Sequence, residues 1–142
     1  MTAKVYLQQA YKLDQRVNNK LQHIESLRSL TQKVTAAMKE SVVSHTSCVT
    51  SLEDTIIRLM EAEGELNQQI DALVNLKREI MQNLDRLGDC EYQLVLEKRY
   101  LFFQTWTEIA ADLNIGLRWV HVIHTKALIA LEEVLKMQKE AS

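Results

Sequence analysis

Residues 99–128, RYLFFQTWTEIAADLNIGLRWVHVIHTKAL, carry two helical patterns separated by a short turn, and their spacing decides how the chain is read. Thr105 precedes the apolar positions Ile109, Ala110 and Leu113 and is followed three residues later by Glu108. That is the reciprocal arrangement of a capping box, so a short helix is predicted to begin here. Asn114 tolerates the left-handed backbone that ends a helix, and Gly116 can open the next one. The second helix is predicted to bury Val120, Ile123, Ala127, Leu128 and Leu131, which recur at three- and four-residue steps. Its other face offers Arg118, Trp119, His121, Val122 and Thr125. This is the spacing of a helix-turn-helix, in which the N-terminal turns of the second helix enter the major groove of duplex DNA.

The side chains on that face suit the task. A guanidinium near the start of a groove-entering helix, here Arg118, can address guanine bidentately, worth ~1–3 kcal/mol of discrimination. His121, three residues on, can donate to a phosphate or a base edge. Val122 offers a methyl surface for thymine. Trp119 is large enough to pack on the sugar-phosphate backbone, on a partner protein or on its own chain. Leu117, Thr125 and Lys126 complete the candidate DNA-contacting set on this helix. Thr105 and Thr107 can contact phosphate through hydroxyl or backbone N–H at the start of the first helix. His124 falls at the edge of the buried face and is expected to be structural, while Tyr100, Phe102, Phe103 and Trp106 are expected in the core.

At 142 residues and 46% apolar composition, the chain can bury a core and is long enough for one domain or two small ones. Proline is absent and glycine occurs three times, which favours helix almost throughout. No apolar run approaches the ~18 residues a membrane span needs, and the N-terminus lacks a signal-peptide apolar core, so a cytoplasmic protein with no membrane partner is expected. Cys48 and Cys90 fall at either end of a helix predicted over about residues 52–87, roughly 50 Å long, which predicts free thiols. No Cys/His cluster accompanies them, so neither metal nor cofactor is expected.

The formal net charge is −2. Residues 1–38 hold six Lys or Arg against two acids (+4), residues 39–90 five against ten (−5), and residues 91–142 six against seven (−1). The first two segments are electrostatically complementary. The third is not basic, so DNA contact would rest on Arg118, Lys126 and a few residues such as Lys98 or Arg99, helped by a second subunit or a bound polymerase.

Leu52, Ile56, Leu59, Glu63, Leu66, Ile70, Leu73, Lys77, Ile80, Leu84 and Leu87 alternate four- and three-residue steps. Nine of the eleven are apolar, which predicts a coiled-coil-like helix. Ala10, Leu13, Val17, Ile24, Leu27, Val34 and Met38, widened by Leu21 and Leu30, form a similar series. The Ser- and Thr-rich residues 39–51 between them show no period and read as a loop, with Ser51 or Thr50 as the next N-cap. Two long helices of opposite charge joined by a short loop should pack as an antiparallel hairpin. Glu63 and Lys77 would pair or snorkel at its edge, or fix its register. Gly64 marks a bend or a close helix contact, and Gly88 a helix end. The expected organisation is an all-α chain with a coiled-coil-like hairpin over 1–88 and a helix-turn-helix domain over 91–142.

The C-terminal third resembles region 4 of bacterial sigma factors in Arg99-Tyr100, then Trp106 with Glu108-Ile109-Ala110, then Ala127-Leu128. With residues 6–28, YLQQAYKLDQRVNNKLQHIESLR, and 74–81, VNLKREIM, the whole chain resembles the small phage- and prophage-encoded regulators of Gram-positive bacteria of the ArpU or RinA type. In such modules Gly116 stands where Ser or Thr is usual, and Val122 where a polar or basic residue is common. The resemblance implies a DNA-binding transcriptional activator of late phage genes in the bacterial host cell. The chain is too short to hold the other promoter-reading and promoter-melting regions of a complete sigma factor, so it would recruit or modify a holoenzyme.

Catalysis has no motif to carry it: there is no Gly-rich phosphate loop, Gly-x-Ser-x-Gly elbow or His-Glu-x-x-His. Two other readings remain open. One is a sigma-mimicking interaction protein that binds RNA polymerase or a sigma factor without reading DNA. The other is a DNA-packaging subunit resembling the small terminases. A homodimer through the N-terminal hairpin would favour the regulator, and ring-sized assemblies of about eight or more subunits the packaging subunit.

Overall fold

The structure, a computed structural model, describes the backbone of residues 2–40 and 45–141 and the side chains of 2–37 and 50–141. The described residues form α1 (Ala3–Glu40), α2 (His45–Asp85), α3 (Cys90–Leu96), a π-helical stretch (Glu97–Leu101), α4 (Trp106–Leu113) and α5 (Leu117–Ala141). The expected all-helical class is therefore observed, with no strand among the described residues. The side chains of Met38 and Cys48, and residues 41–44 of the expected loop, lie outside the described residues.

The remainder of that loop is helix. Residues 45–51 are the first turns of α2, so Thr50 and Ser51 lie inside the helix and do not cap it. Hydroxyl residues need not break a helix when they bond back to the preceding turn. Thr55 Oγ1 donates to the Ser51 carbonyl at 2.7 Å, just as Thr31 and Thr35 donate to the carbonyls of Leu27 and Thr31 in α1. At its other end α2 stops as expected. Gly88 takes φ +76°, and Asp89 then caps α3 by accepting from the N–H groups of Glu91 and Tyr92.

Two compact units share the long helices: Asp14–Ala72 forms one, and Met1–Leu13 together with Leu73–Ser142 forms the other. In the unit of residues 14–72, Ile24, Leu27 and Ala62 are buried with Leu59 and Leu66 against them. Lys20 pairs with Glu65, and Arg28 Nη2 lies 3.0 Å from Glu63 Oε1, so Glu63 is an edge partner of α1. A Cβ on Gly64 would meet nothing within 4 Å, which removes the expected close helix contact there.

The buried stripe of α2 is rotated from the expected one. Leu59, Leu66, Leu73, Ile80 and Leu84 point inward as predicted, with Leu52 and Leu87 half-buried, but over the middle of the helix the alternating row is Thr55, Ala62, Gln69 and Leu76, and Asn83 joins Leu84 at its end. Ile56 and Ile70 are 40% and 36% exposed. Leu21 and Leu30 of α1 are likewise exposed and do not widen its stripe. The reason lies in the charges: the expected row holds Glu63 and Lys77, which reach solvent and partners from the edge of the interface.

The other unit is built on Leu7, Ile80, Leu84, Leu96 and Leu131, all essentially inaccessible to solvent. Ala3, Ala10 and Ala127 lie among them, and their small side chains let the helices approach closely. Burying each such leucine stabilises the fold by ~1.5–3 kcal/mol relative to exposure. One polar residue sits in this core: Asn83 Nδ2 donates to Tyr6 Oη at 2.7 Å, and Gln138 Nε2 donates to Asn83 Oδ1 at 2.5 Å.

Two substitutions separate these effects in urea unfolding. Gly64→Ala places a methyl in open space within a helix and is expected to raise stability by ~1 kcal/mol. Asn83→Ala strands the Tyr6 hydroxyl and the Gln138 amide, and is expected to lower it by ~1–3 kcal/mol. An unchanged midpoint for Asn83→Ala would show that its network contributes nothing net.

Candidate nucleic-acid interface

The segment from α3 to α5 is assembled by local signals that the sequence carries openly. Thr105 caps α4: its Oγ1 accepts from the Glu108 N–H at 3.2 Å, and Glu108 Oε2 accepts from the Thr105 N–H at 3.4 Å. Asn114 takes φ 56° and ends the helix, with the Asn114 N–H donating to the Ala111 carbonyl and the Ile115 N–H to that of Ala110. That bonding is a Schellman arrangement with asparagine in the left-handed position. Gly116 supplies the carbonyl that accepts from Val120 N–H, and α5 follows at once. Between the two helices lies a small core of Val95, Ile109, Val120 and Ile123.

Of the residues expected to be buried on α5, Val120, Ile123, Ala127 and Leu131 are buried, and Leu128 is half-buried. The candidate contact residues take the opposite side. Leu117, Arg118, Trp119, His121, Thr125 and Lys126 are exposed, and Val122 is half-buried. Arg118, Val122 and Thr125 share one stripe by their four- and three-residue steps. Thr125 Oγ1 donates to the His121 carbonyl at 3.1 Å, so its lone pairs face outward while its proton is engaged. Trp119 is 49% exposed, with Lys126 Nζ 5.9 Å from its ring centroid. On α4, Thr105 and Thr107 are exposed on either side of Trp106.

Trp106 joins the start of α4 to α5. Its ring lies 4.8 Å from that of His121 and 4.6 Å from that of His124, centroid to centroid. The Arg99 guanidinium covers it at 4.3 Å and donates to the Gln104 carbonyl. Arg99 is therefore engaged in the fold, and Lys98 lies 3.4 Å from Asp112 Oδ2. Lys98 is therefore paired and is not a spare cation for DNA, whereas Arg99 has no carboxylate within ion-pair distance among the described residues. The charge that remains is on α5 itself, where residues 117–131 hold Arg118 and Lys126 and no acid. The net −1 of the C-terminal third comes from carboxylates outside that stretch.

His124 is structural, as its position predicted. Nε2 lies 2.7 Å from Tyr100 Oη, and burial, followed by Lys4, His121 and Arg99, pushes its pKa down to about 4. Burial also raises the Tyr100 phenol. Phe102 departs from expectation: it is 67% exposed. The π-helical stretch just before it adds a residue to the turn, with Phe102 N–H bonding to the Glu97 carbonyl five residues back, and this rotates Phe102 out of the core. Phe103 then takes a left-handed φ of 56°. No sequence signal marks either feature, since the local pattern continues that of an ordinary helix.

Among the described residues no group of three His, Cys, Asp or Glu is placed to hold a metal ion, and no helix is long and apolar enough to cross a membrane. No protein-family model, curated protein or solved structure matches the chain.

The depressed His124 pKa fixes the sign of a pH effect. Above the ordinary value of 6.5 the ring is neutral folded or unfolded; between 6.5 and about 4 only the unfolded chain takes up the proton. Stability should therefore fall through that window as pH is lowered. The difference in urea midpoint between wild type and His124→Gln should narrow or change sign from pH 7.5 to pH 4.5. Curves that stay parallel would show that His124 does not titrate abnormally.

Proposed function

We propose that α4 and α5 form a helix-turn-helix that reads duplex DNA, and that the chain is a transcriptional regulator, an activator of phage or mobile-element genes acting in the host cytoplasm. The observation that carries this reading is the acid-free outer face of α5 over residues 117–131, where Arg118, Val122 and Thr125 share a stripe flanked by His121, Trp119 and Lys126, beside a capped α4 at whose start Thr105 and Thr107 are exposed. In this reading Arg118 addresses a guanine, Val122 a thymine methyl, and His121 a phosphate or base edge. The two threonines hold the phosphate backbone at the start of α4.

The long helices form the antiparallel hairpin, and its outer surface seats a second copy. The exposed Ile56, Met60 and Ile70 on α2 support that assignment, because apolar residues at helical spacing on a solvent face suit another helix. A dimer would match a two-fold DNA site. Host RNA polymerase or its sigma factor is the second partner, reached once the protein is on DNA.

Selection from a randomised duplex pool at near-physiological salt tests the proposal. Wild type should enrich one motif, with two-fold symmetry if the dimer forms. Arg118→Ala should lose ~1–3 kcal/mol at one base position and relax the preference there. Failure of wild type to enrich any motif would sink autonomous reading and favour the polymerase-binding alternative. Ring-sized assemblies in solution would favour the packaging one.

A further inference from the structure

Within the unit that contains α4 and α5 lies a cavity of about 680 Å³, within the usual size range of small-ligand sites. The DNA-reading face of α5 does not account for it. Three cations line it: Lys4 and Lys12 from the first turns of α1, and Arg99 from the π-helical stretch. No carboxylate lines it, and among the described residues none of the three has a carboxylate within ion-pair distance. The rest of the wall is largely aromatic, with Tyr11, Tyr100, Phe103 and Trp106. Tyr11 is half-exposed and meets Phe103 edge-on, with ring centroids 5.6 Å apart.

Two unusual pieces of backbone form this wall. Arg99 and Tyr100 belong to the π-helical stretch, and Phe103 is held at φ 56°, a conformation that a bulky side chain rarely adopts. Both features gather at functional sites more often than elsewhere, because surrounding structure must maintain them against their cost. Here both aim side chains at one cavity. Burial is the main cause of the lowered His124 pKa, and the neighbouring charges of Lys4, His121 and Arg99 add to it.

We propose that this cavity binds a mononucleotide, with the base stacked on Tyr11 beside Phe103 and the phosphate held by Lys4, Lys12 and Arg99. Cations without rings would suit any anion, and rings without cations any apolar molecule. Their combination, with no acid, selects a planar ring that carries a phosphate. The site is separate from the exposed face of α5, so its occupancy does not depend on whether that face reads DNA.

Calorimetric titration of the full chain with adenosine and guanosine 5′-monophosphates, the matching nucleosides, inorganic phosphate and a short single-stranded oligonucleotide tests the proposal. At least one monophosphate should bind more tightly than both its nucleoside and inorganic phosphate. Tyr11→Ala should weaken it toward the affinity of phosphate alone. Lys4→Glu with Lys12→Glu, both on exposed positions, should weaken it roughly tenfold or more while the unfolding midpoint stays unchanged. Binding of phosphate as tight as that of the nucleotides would overturn the proposal in favour of an unselective anion site. Tighter binding of the oligonucleotide, with the same sensitivity to the variants, would overturn it in favour of a nucleic-acid channel. Absence of binding by every probe would overturn it outright.

Discussion

The buried amide of Asn83 sets the phase in which the second long helix presents itself to the core. At 2% exposure it cannot be solvated by bulk water, so its donor and acceptor must be met by protein. Tyr6 of α1 meets one and Gln138 of α5 the other. Rotating α2 by one residue would expose Asn83 and bring Lys77 further into the interface. Apolar side chains such as Leu76, Ile80 and Leu84 tolerate modest rotation, since dispersion and burial are weakly directional. The hydrogen bonds do not, and so one polar residue specifies an arrangement that its leucine neighbours stabilise. Because Gln138 lies near the end of α5, the same amide ties the last turns of that helix to the first turns of α1.

A second constraint acts between α3 and α4. The π-helical stretch and left-handed Phe103 turn the chain abruptly, and a non-glycine residue in that region costs ~1–3 kcal/mol. The surroundings offset this cost locally. Arg99 stacks on Trp106, Tyr100 reaches His124, and Phe103 packs against Tyr11 with Lys77 Nζ 5.0 Å from its ring centroid. The strained turn and the aromatic cluster support each other: without the turn, Arg99 and Tyr100 would follow ordinary helical directions and the cluster would lose two members.

This contrast explains what could be read in the sequence. The capping box at Thr105, the stop at Asn114 and the buried face of α5 depend on contacts within one or two helical turns, and each showed in residue spacing. The end of α2 at Gly88 was legible for the same reason. The phase of α2 was not, because its two candidate rows share Leu59, Leu66, Leu73 and Ile80, and hydropathy prefers Ile56 and Ile70 to Thr55 and Gln69. Only the distant partners of Asn83 and the edge pairing of Glu63 break that tie. The early start of α2 was hidden by Ser and Thr residues whose hydroxyls can be satisfied inside a helix. The exposed side chains proposed to contact DNA were legible as a face, but the cavity lined by Lys4, Lys12 and Arg99 was not, since its walls lie nearly ninety residues apart in the chain.

Net charge is a poor guide to this molecule because its ions are sorted by position. Glu63 and Glu65 face Arg28 and Lys20, and Asp112 faces Lys98. Such exposed pairs contribute little stability individually, in the range of ~0–1 kcal/mol. Their effect on the field is larger than their effect on the fold, because a paired carboxylate repels an approaching phosphate far less than a bare one. Among the described residues, Arg118 and Lys126 on α5 and Lys4, Lys12 and Arg99 around the cavity have no carboxylate within ion-pair distance, so positive charge dominates locally at both places. At physiological ionic strength charges are screened beyond ~8 Å, so an incoming phosphate responds to this local distribution more than to the total of −2. A chain that is acidic as a whole can therefore carry two separate places where positive charge dominates.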